Sequence, residues 1–426
     1  SKALDLDSSR SRLRLALARH SMAEGQAEQA LAQMRVAFTE TPTDWSVTQY
    51  YLAMLLRTDR EKEAREVTES LLNGFADEPR AVTLAAMTEH RLGDTDSAQA
   101  RLEQQVSERP DDLLALVALG TIYQDRDMNE KAVDTFLGAA RAQPANVRLL
   151  QAAGQIYSRD HDPDAVADWL NRIAEDSEAM APSAYTLAAQ IRIQQGRLDE
   201  ARQTLDRIPE AEQTDQSRTI RGQLLVAEAE QAAGQEDWPT ARAKAAQAAS
   251  LRPDNLAFAL IPVRVSAAEG NFQEARTSLD ELESTFGEQS AIDLARARLI
   301  TATGSEKAAF DYLQQRWQDT ANAELLPPLV GLAKPHSPDS LDQLTEAWVE
   351  ARPDSAAAQL TRAEYLMTNG DEQAAVASYE IALGLRPDNP IAMNNLAWLL
   401  RERDQDRALV LARNARDLAP ESPAIL

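Results

Sequence analysis

Residues 119–144 read LGTIYQDRDMNEKAVDTFLGAARAQP, and the placing of small and large side chains in this stretch decides the fold. Gly120 and Ala132 are small where two helices would have to approach closely, Phe136 fills the space beside them, and Pro144 closes the second helix. Proline cannot continue the backbone ladder and disfavours helix in the residue before it. The spacing predicts a short helical hairpin with a polar corner at 125–130.

The signature recurs. An alanine followed twelve residues later by a proline occurs as Ala30/Pro42, Ala98/Pro110, Ala132/Pro144, Ala241/Pro253, Ala375/Pro387 and Ala408/Pro420, with Leu341/Pro353 as a near relative. Pro110 to Pro144 and Pro353 to Pro387 are each 34 residues apart. A fixed period of this length marks a repeat array in which every unit is one supersecondary element.

Leu119, Gly120, Tyr123, Ala132, Phe136, Ala139 and Pro144 fall on the L-G-x-x-Y, A-x-x-x-F-x-x-A-x-x-x-x-P skeleton of the tetratricopeptide repeat, which the sequence closely resembles. A second good unit has Ala363, Gly370, Ala375, Tyr379, Ala382 and Pro387. The resemblance implies an all-α fold, a right-handed α-α superhelix (solenoid) of about twelve helix pairs. It also implies that first helices line a concave surface and second helices a convex one.

In this phasing Gly154, Ala363 and Ala397 share the small-residue slot of Gly120. Three arrays are expected: 1–210 with about six repeats, 211–321 with about three, and 322–426 with an irregular first repeat and a truncated end. Pro182, Pro209 and the polar stretch EAEQTDQS (210–217) mark the first junction. Near the second, LLPPLVGLAKPHSP carries Pro327, Pro328, Pro335 and Pro338, so a short or broken first helix is expected there. The chain starts at Ser1 without a methionine and stops at PAIL, one turn into what reads as a new element, so a piece of a longer protein is expected.

Composition agrees with helices. Hydrophobic residues make up 44% of the 426 residues but aromatics only 5%, so the core must be assembled from alanine and leucine. A repeat array also escapes the roughly 250–300 residues at which a single core stops growing. The formal charge of -24 repels phosphate backbones and anionic lipid, which argues against nucleic-acid binding. With no cysteine there are no disulfides, thiol nucleophiles or Cys-ligated metals. The longest apolar run, LLALVALG at 113–120, falls well short of the roughly 20 residues that cross a bilayer.

DRDMNE (125–130) begins like a calcium loop, with Asp125, Asp127 and Asn129 alternating. Such a loop needs glycine at its sixth place and a bidentate glutamate at its twelfth. Those places hold Glu130 and Phe136, so the reading is a polar corner whose Asp and Asn cap the next helix. Equivalent corners at 158–165 and 401–408 are equally rich in Asp. His20, His90, His161 and His336 lie far apart in the sequence, outside any metal-spaced pair. No phosphate-cradling glycine loop and no G-x-S-x-G elbow is present. No catalytic, cofactor-binding or metal-binding residue is therefore assigned, and no enzyme activity is expected.

What remains is the surface of the first helices. Inward-facing positions are expected at Leu114, Val117, Thr121 and Gln124, at Arg148, Gln151, Gln155 and Arg159, and at Asn394, Trp398 and Arg401. Aromatic and Arg side chains there are what a binding hot spot uses. Some tetratricopeptide modules clamp a peptide carboxylate with Lys and Asn; Asn395 sits where such an Asn occurs, but no matching Lys set is found. The segment 389–426, with AMNNLAWLL, is similar to the large tetratricopeptide lipoproteins of bacterial exosortase (PEP-CTERM) and exopolysaccharide systems. That likeness implies a lipid-anchored envelope protein on the periplasmic side, a scaffold for partner proteins and for polysaccharide or protein export. A module binding a glycan or peptide ligand is the alternative function, and the cytoplasm the alternative location.

Overall fold

A computed structural model describes residues 2–420 and 422. The segment 423–426, read as the start of a new element, lies outside the described residues. Twelve helix pairs follow one another among the described residues, with short 3-10 turns as the only other regular elements. The chain is thus all-α and of the α-α solenoid class. It divides at Leu224/Leu225, inside the helix Asp215–Gly234, into two compact units.

Each unit is a stack of hairpins. Trp45–Arg57 pairs with Glu61–Gly74, Pro79–Arg91 with Thr95–Glu108, Leu113–Asp125 with Asn129–Ala142, and so on along the chain. First helices of consecutive pairs also touch: Trp45–Arg57 packs on Pro79–Arg91, which packs on Leu113–Asp125. A single hairpin cannot bury its apolar face, so the core is shared between neighbours.

The prolines act as the sequence predicts. Helices end at Glu40, Glu108, Ala142, Leu251, Ala351, Leu385 and Leu418, in every case two residues before the proline of the signature. The residue after the proline's neighbour then caps the next first helix: Asp44 accepts from the Ser46 and Val47 amides, Asp112 from Ala115, Asn255 from Ala257, Ser355 from Ala358 and Asn389 from Ala392. Each such cap satisfies a backbone donor that the helix leaves orphaned.

Packing within the hairpins explains the residue types. Ala30, Ala98, Ala132, Ala241, Ala363 and Ala375 are fully buried, as is Tyr379. A methyl group built on Gly120 would lie 2.9 Å from the Phe136 ring, closer than carbon atoms pack. Gly154 differs from the expectation, because a methyl there would meet only Trp169, at an ordinary 3.8 Å. The tyrosines anchor by their hydroxyls: Tyr123 donates to Glu103 of the preceding pair at 2.7 Å, and Tyr51 donates to Glu63. Burial, reinforced by the Glu63 carboxylate, pushes the Tyr51 hydroxyl up to about 12.

One local expectation needs correction. DRDMNE is a corner, but its Asp and Asn do not cap the following helix, whose N-cap is Met128 with no side-chain bond. Asp125 accepts from His90 at 2.9 Å and Asn129 donates to Asp160 at 2.9 Å, each reaching a neighbouring pair. Asp127 occupies the left-handed region, φ 55°. At the equivalent corners Asp162 and Asp404 do cap, accepting from Ala165 and Arg407 amides. The proline-rich first helix is short but unbroken, spanning Leu326–His336. Pro327 and Pro328 sit in its first turn, where a missing N–H costs nothing, and Pro335 in its last. Pro182 likewise starts the helix Ala181–Gln194.

Three substitutions test this packing by urea denaturation. Gly120→Leu drives a side chain into Phe136 and should cost about 1–3 kcal/mol, whereas Gly154→Ala has room for its methyl and should gain about 0.5–1 kcal/mol from helix propensity. Equal effects at the two glycines would contradict the packing just described. Asp127→Gly should stabilise by about 1 kcal/mol by removing a left-handed Cβ, and an unchanged midpoint would show that the corner carries no strain.

Candidate functional site

The residues expected to face inward fall into three stripes with different fates. In the helix Leu113–Asp125, Leu114 is 50% exposed, while Val117, Thr121 and Gln124 are half-buried. The Thr121 hydroxyl donates to the Val117 carbonyl at 2.9 Å, so it is turned back onto its own helix. In the helix Val147–Tyr157 and its corner, Arg148, Gln151, Gln155 and Arg159 share one face; Gln151 and Gln155 open into a cleft, and Arg148 and Arg159 are exposed. In the helix Pro390–Leu400, Asn394 is half-buried and Trp398 is 52% exposed. Arg401 stacks on Trp398, its guanidinium 3.9 Å from the ring centroid, and donates to the Trp398 carbonyl at 2.6 Å. That indole face is covered. Asn395 donates to the Tyr379 hydroxyl at 3.0 Å, which holds it in the packing of the hairpin.

The cleft beside Gln151 has a volume of about 530 Å³ and lies among Val147–Tyr157, Pro163–Asp176 and Ala181–Gln194. Val166, Leu170, Leu187 and Ile191 form an apolar floor, and Gln151, Gln155, Gln190 and Gln194 a rim of amides. Gln190 and Gln194 were not anticipated; a second Gln pair at the same spacing on the next first helix is the signal that shows them. Ser158 and His161 complete the lining. His161 stacks on Tyr157 with centroids 3.8 Å apart, and Tyr157 on Trp169 at 4.6 Å. Nδ1 of His161 bonds the Tyr157 carbonyl at 2.9 Å. A carbonyl only accepts, so Nδ1 carries a proton.

No carboxylate, lysine or arginine lines this cleft; of the arginines beside it two are tied to carboxylates, while Arg148 and Arg159 are exposed and stand outside the lining. Arg192, its side chain 7% exposed, meets Asp164, Asp168 at 2.8 Å and Glu200 at 3.4 Å. Arg197 reaches Asp164 at 2.5 Å and Glu200 at 2.6 Å. The Gln195 amide, with Arg197 and Arg192 alongside, holds the Asp164 carboxyl below its ordinary range.

A second groove lies in the other unit, between the first helix running Leu256–Ala259 and Ile261–Glu269 and the helix Ser290–Ala302. It has a volume of about 630 Å³ and is walled by Leu260, Val263, Ala267, Leu294 and Leu299, with Arg264 and Arg298 at its rim. Arg264 bonds Glu230 at 2.5 Å. Arg298 is exposed and makes no hydrogen bond or ion pair with any described residue. In a neighbouring cavity, Tyr312 donates to the buried Asp293 at 2.5 Å, and burial with that carboxylate pushes the hydroxyl up. The shifts resolved along the chain raise tyrosines and arginines and lower carboxylates, moving each group away from neutral pH.

Three family models, each described as tetratricopeptide repeat, match residues 9–135, residues 159–224, and residues 337–390 with 360–423. Among curated proteins, the chain is similar to cellulose synthase operon protein C of Xanthomonas axonopodis pv. citri (strain 306), 27% identical over 303 residues. The match takes in 70% of this chain but only 18% of that protein's length. Among solved structures, yeast Tom70 superposes over 96% of each chain with 11% identity and a TM-score of 0.40. The pilF protein of Pseudomonas aeruginosa superposes over 49% of this chain and 96% of its own, with 14% identity and a TM-score of 0.36.

Proposed function

This chain belongs to the tetratricopeptide-repeat family, and from that premise we propose that it is a non-catalytic scaffold holding partner proteins in a bacterial envelope assembly for exopolysaccharide export. Repeats of this family are protein-interaction surfaces, because the helices that stack to share a core leave long faces free for a partner. The similarity to a protein named for a cellulose synthase operon supports the exopolysaccharide setting. The likeness of residues 389–426 to envelope lipoproteins supports a periplasmic location and a lipid anchor elsewhere in the full-length protein.

The observation that carries the reading is the groove at Arg298. Its walls are aliphatic, Leu260, Val263 and Leu299 buried and Ala267 and Leu294 half-buried, so an apolar anchor entering the groove would meet the edge of the core. Its rim holds an uncompensated guanidinium in a chain of formal charge -24. The complementary partner is a protein segment with an apolar face and a carboxylate, since a rim charge sets orientation and on-rate while buried apolar anchors supply affinity. A second reading, direct binding of a glycan, is favoured by the uncharged amide-rimmed cleft.

Crosslinking of the full-length protein in its native cells, followed by identification of the captured proteins, tests the scaffold. Exopolysaccharide synthesis or export proteins are expected, and Arg298→Glu should weaken their capture about tenfold, equivalent to about 1.4 kcal/mol, without lowering the melting temperature. Capture of cytoplasmic regulators alone, unaffected by Arg298→Glu, would overturn both the setting and the site.

A further inference from the structure

The cleft at Gln151 has a chemistry that a protein-docking groove does not need. Gln151, Gln155, Gln190 and Gln194 stand on two adjacent first helices around one apolar floor, and none of their amide groups is hydrogen-bonded to a described residue. Each amide offers two donors and an acceptor. Together they present a closely spaced set of both kinds, with no charge among them. The volume of about 530 Å³ is that of a small-ligand site.

We propose that this cleft binds a neutral polysaccharide strand. A pyranose ring has an apolar C–H face and an edge of hydroxyls that both donate and accept. The floor of Val166, Leu170, Leu187 and Ile191 matches the face, and the four amides match the edge. Ser158 adds a hydroxyl at the corner. His161 ends the Trp169–Tyr157–His161 stack at the wall of the cleft and supplies a planar ring on which a sugar can pack. With Nδ1 donating to the Tyr157 carbonyl, Nε2 is the ring nitrogen left to meet a ligand hydroxyl.

The electrostatics select a neutral ligand. A charged ligand entering an uncharged lining gives up its hydration without gaining a counter-charge. The nearby Arg192 and Arg197 are already engaged by Asp164, Asp168 and Glu200, and the exposed Arg148 and Arg159 stand outside the lining, so no counter-charge sits within the cleft. An extended peptide also carries neutral amides, but its backbone supplies a single donor and a single acceptor per residue, a sparser set than vicinal hydroxyls.

The site is separate from the Arg298 groove, so glycan binding and partner capture can fail independently. Calorimetry of the purified chain with cellohexaose and maltohexaose provides the test, with a hexauronate and an uncharged Gly-Ser peptide of similar length alongside. Saturable binding of a neutral hexasaccharide is expected. Gln151→Ala combined with Gln190→Ala should weaken it at least about tenfold, and His161→Ala should weaken it with helical content and melting temperature unchanged. The proposal is overturned if neither neutral hexasaccharide binds, if only the hexauronate binds, or if the peptide binds as well as the sugar and with the same dependence on Gln151 and Gln190.

Discussion

The close approach of the two helices in each hairpin is the constraint from which the rest of the structure follows. At residues 119–144 it is met by a missing side chain at Gly120, where a methyl would come within 2.9 Å of the Phe136 ring, and by a fully buried Ala132. Hairpins this thin have no interior of their own, so each must lend its apolar face to the next, and the chain grows by addition rather than around one core. That is why 426 residues manage with 5% aromatics, and why alanines are the residues most completely withdrawn from water.

The features legible in the sequence are those that the constraint repeats at fixed spacing. The alanine-to-proline distance located the second helices, and every one of them stops two residues short of its proline. Features that depend on the individual corner were read less well. Positions 25, 59, 93 and 127 all take positive φ and are 34 residues apart, yet they alternate between Gly and Asp, so composition hid a backbone requirement that the period could have exposed. The Asp-rich corners look alike but do different work, capping at Asp162 and Asp404 and reaching across to other hairpins at Asp125. A cluster of prolines predicted a short or broken helix at 326–336; it is short, and it stays unbroken because a helix tolerates proline in its first turn, where no N–H is needed.

The candidate site was half visible for a related reason. Gln151 and Gln155 belong to a stripe that the repeat register places on a first helix, but their counterparts Gln190 and Gln194 come 39 residues later rather than 34. The two first helices begin 34 residues apart, at Val147 and Ala181, but they line the cleft from different turns, so projection by 34 lands on the buried Tyr185 and Ala189. Trp398 is 52% exposed, and Arg401, one turn on, lies over one face of its ring; spacing alone cannot tell a neighbour that covers from one that merely follows.

The charges give the stack a second period. Arg126 bonds Asp96 at 2.8 Å, Arg207 bonds Glu175 at 3.1 Å and Arg403 bonds Glu372 at 3.3 Å, each joining residues about one repeat apart. Exposed pairs of this kind contribute little energy individually and are screened by salt. Their regular recurrence nonetheless consumes basic side chains, of which the chain has 44 against 68 acidic ones. Where such arginines are committed to holding one hairpin against the next, an arginine left without a counter-charge beside an apolar wall is open to a partner's carboxylate. A cleft lined by amides, with no carboxylate, lysine or arginine, offers a different surface. The acidic excess therefore acts as a background against which two surfaces differ in opposite senses, one cationic and apolar, the other neutral and rich in amides. A molecule built from near-identical hairpins acquires distinct binding sites by varying this outer layer, because the inner layer is fixed by the approach of the helices.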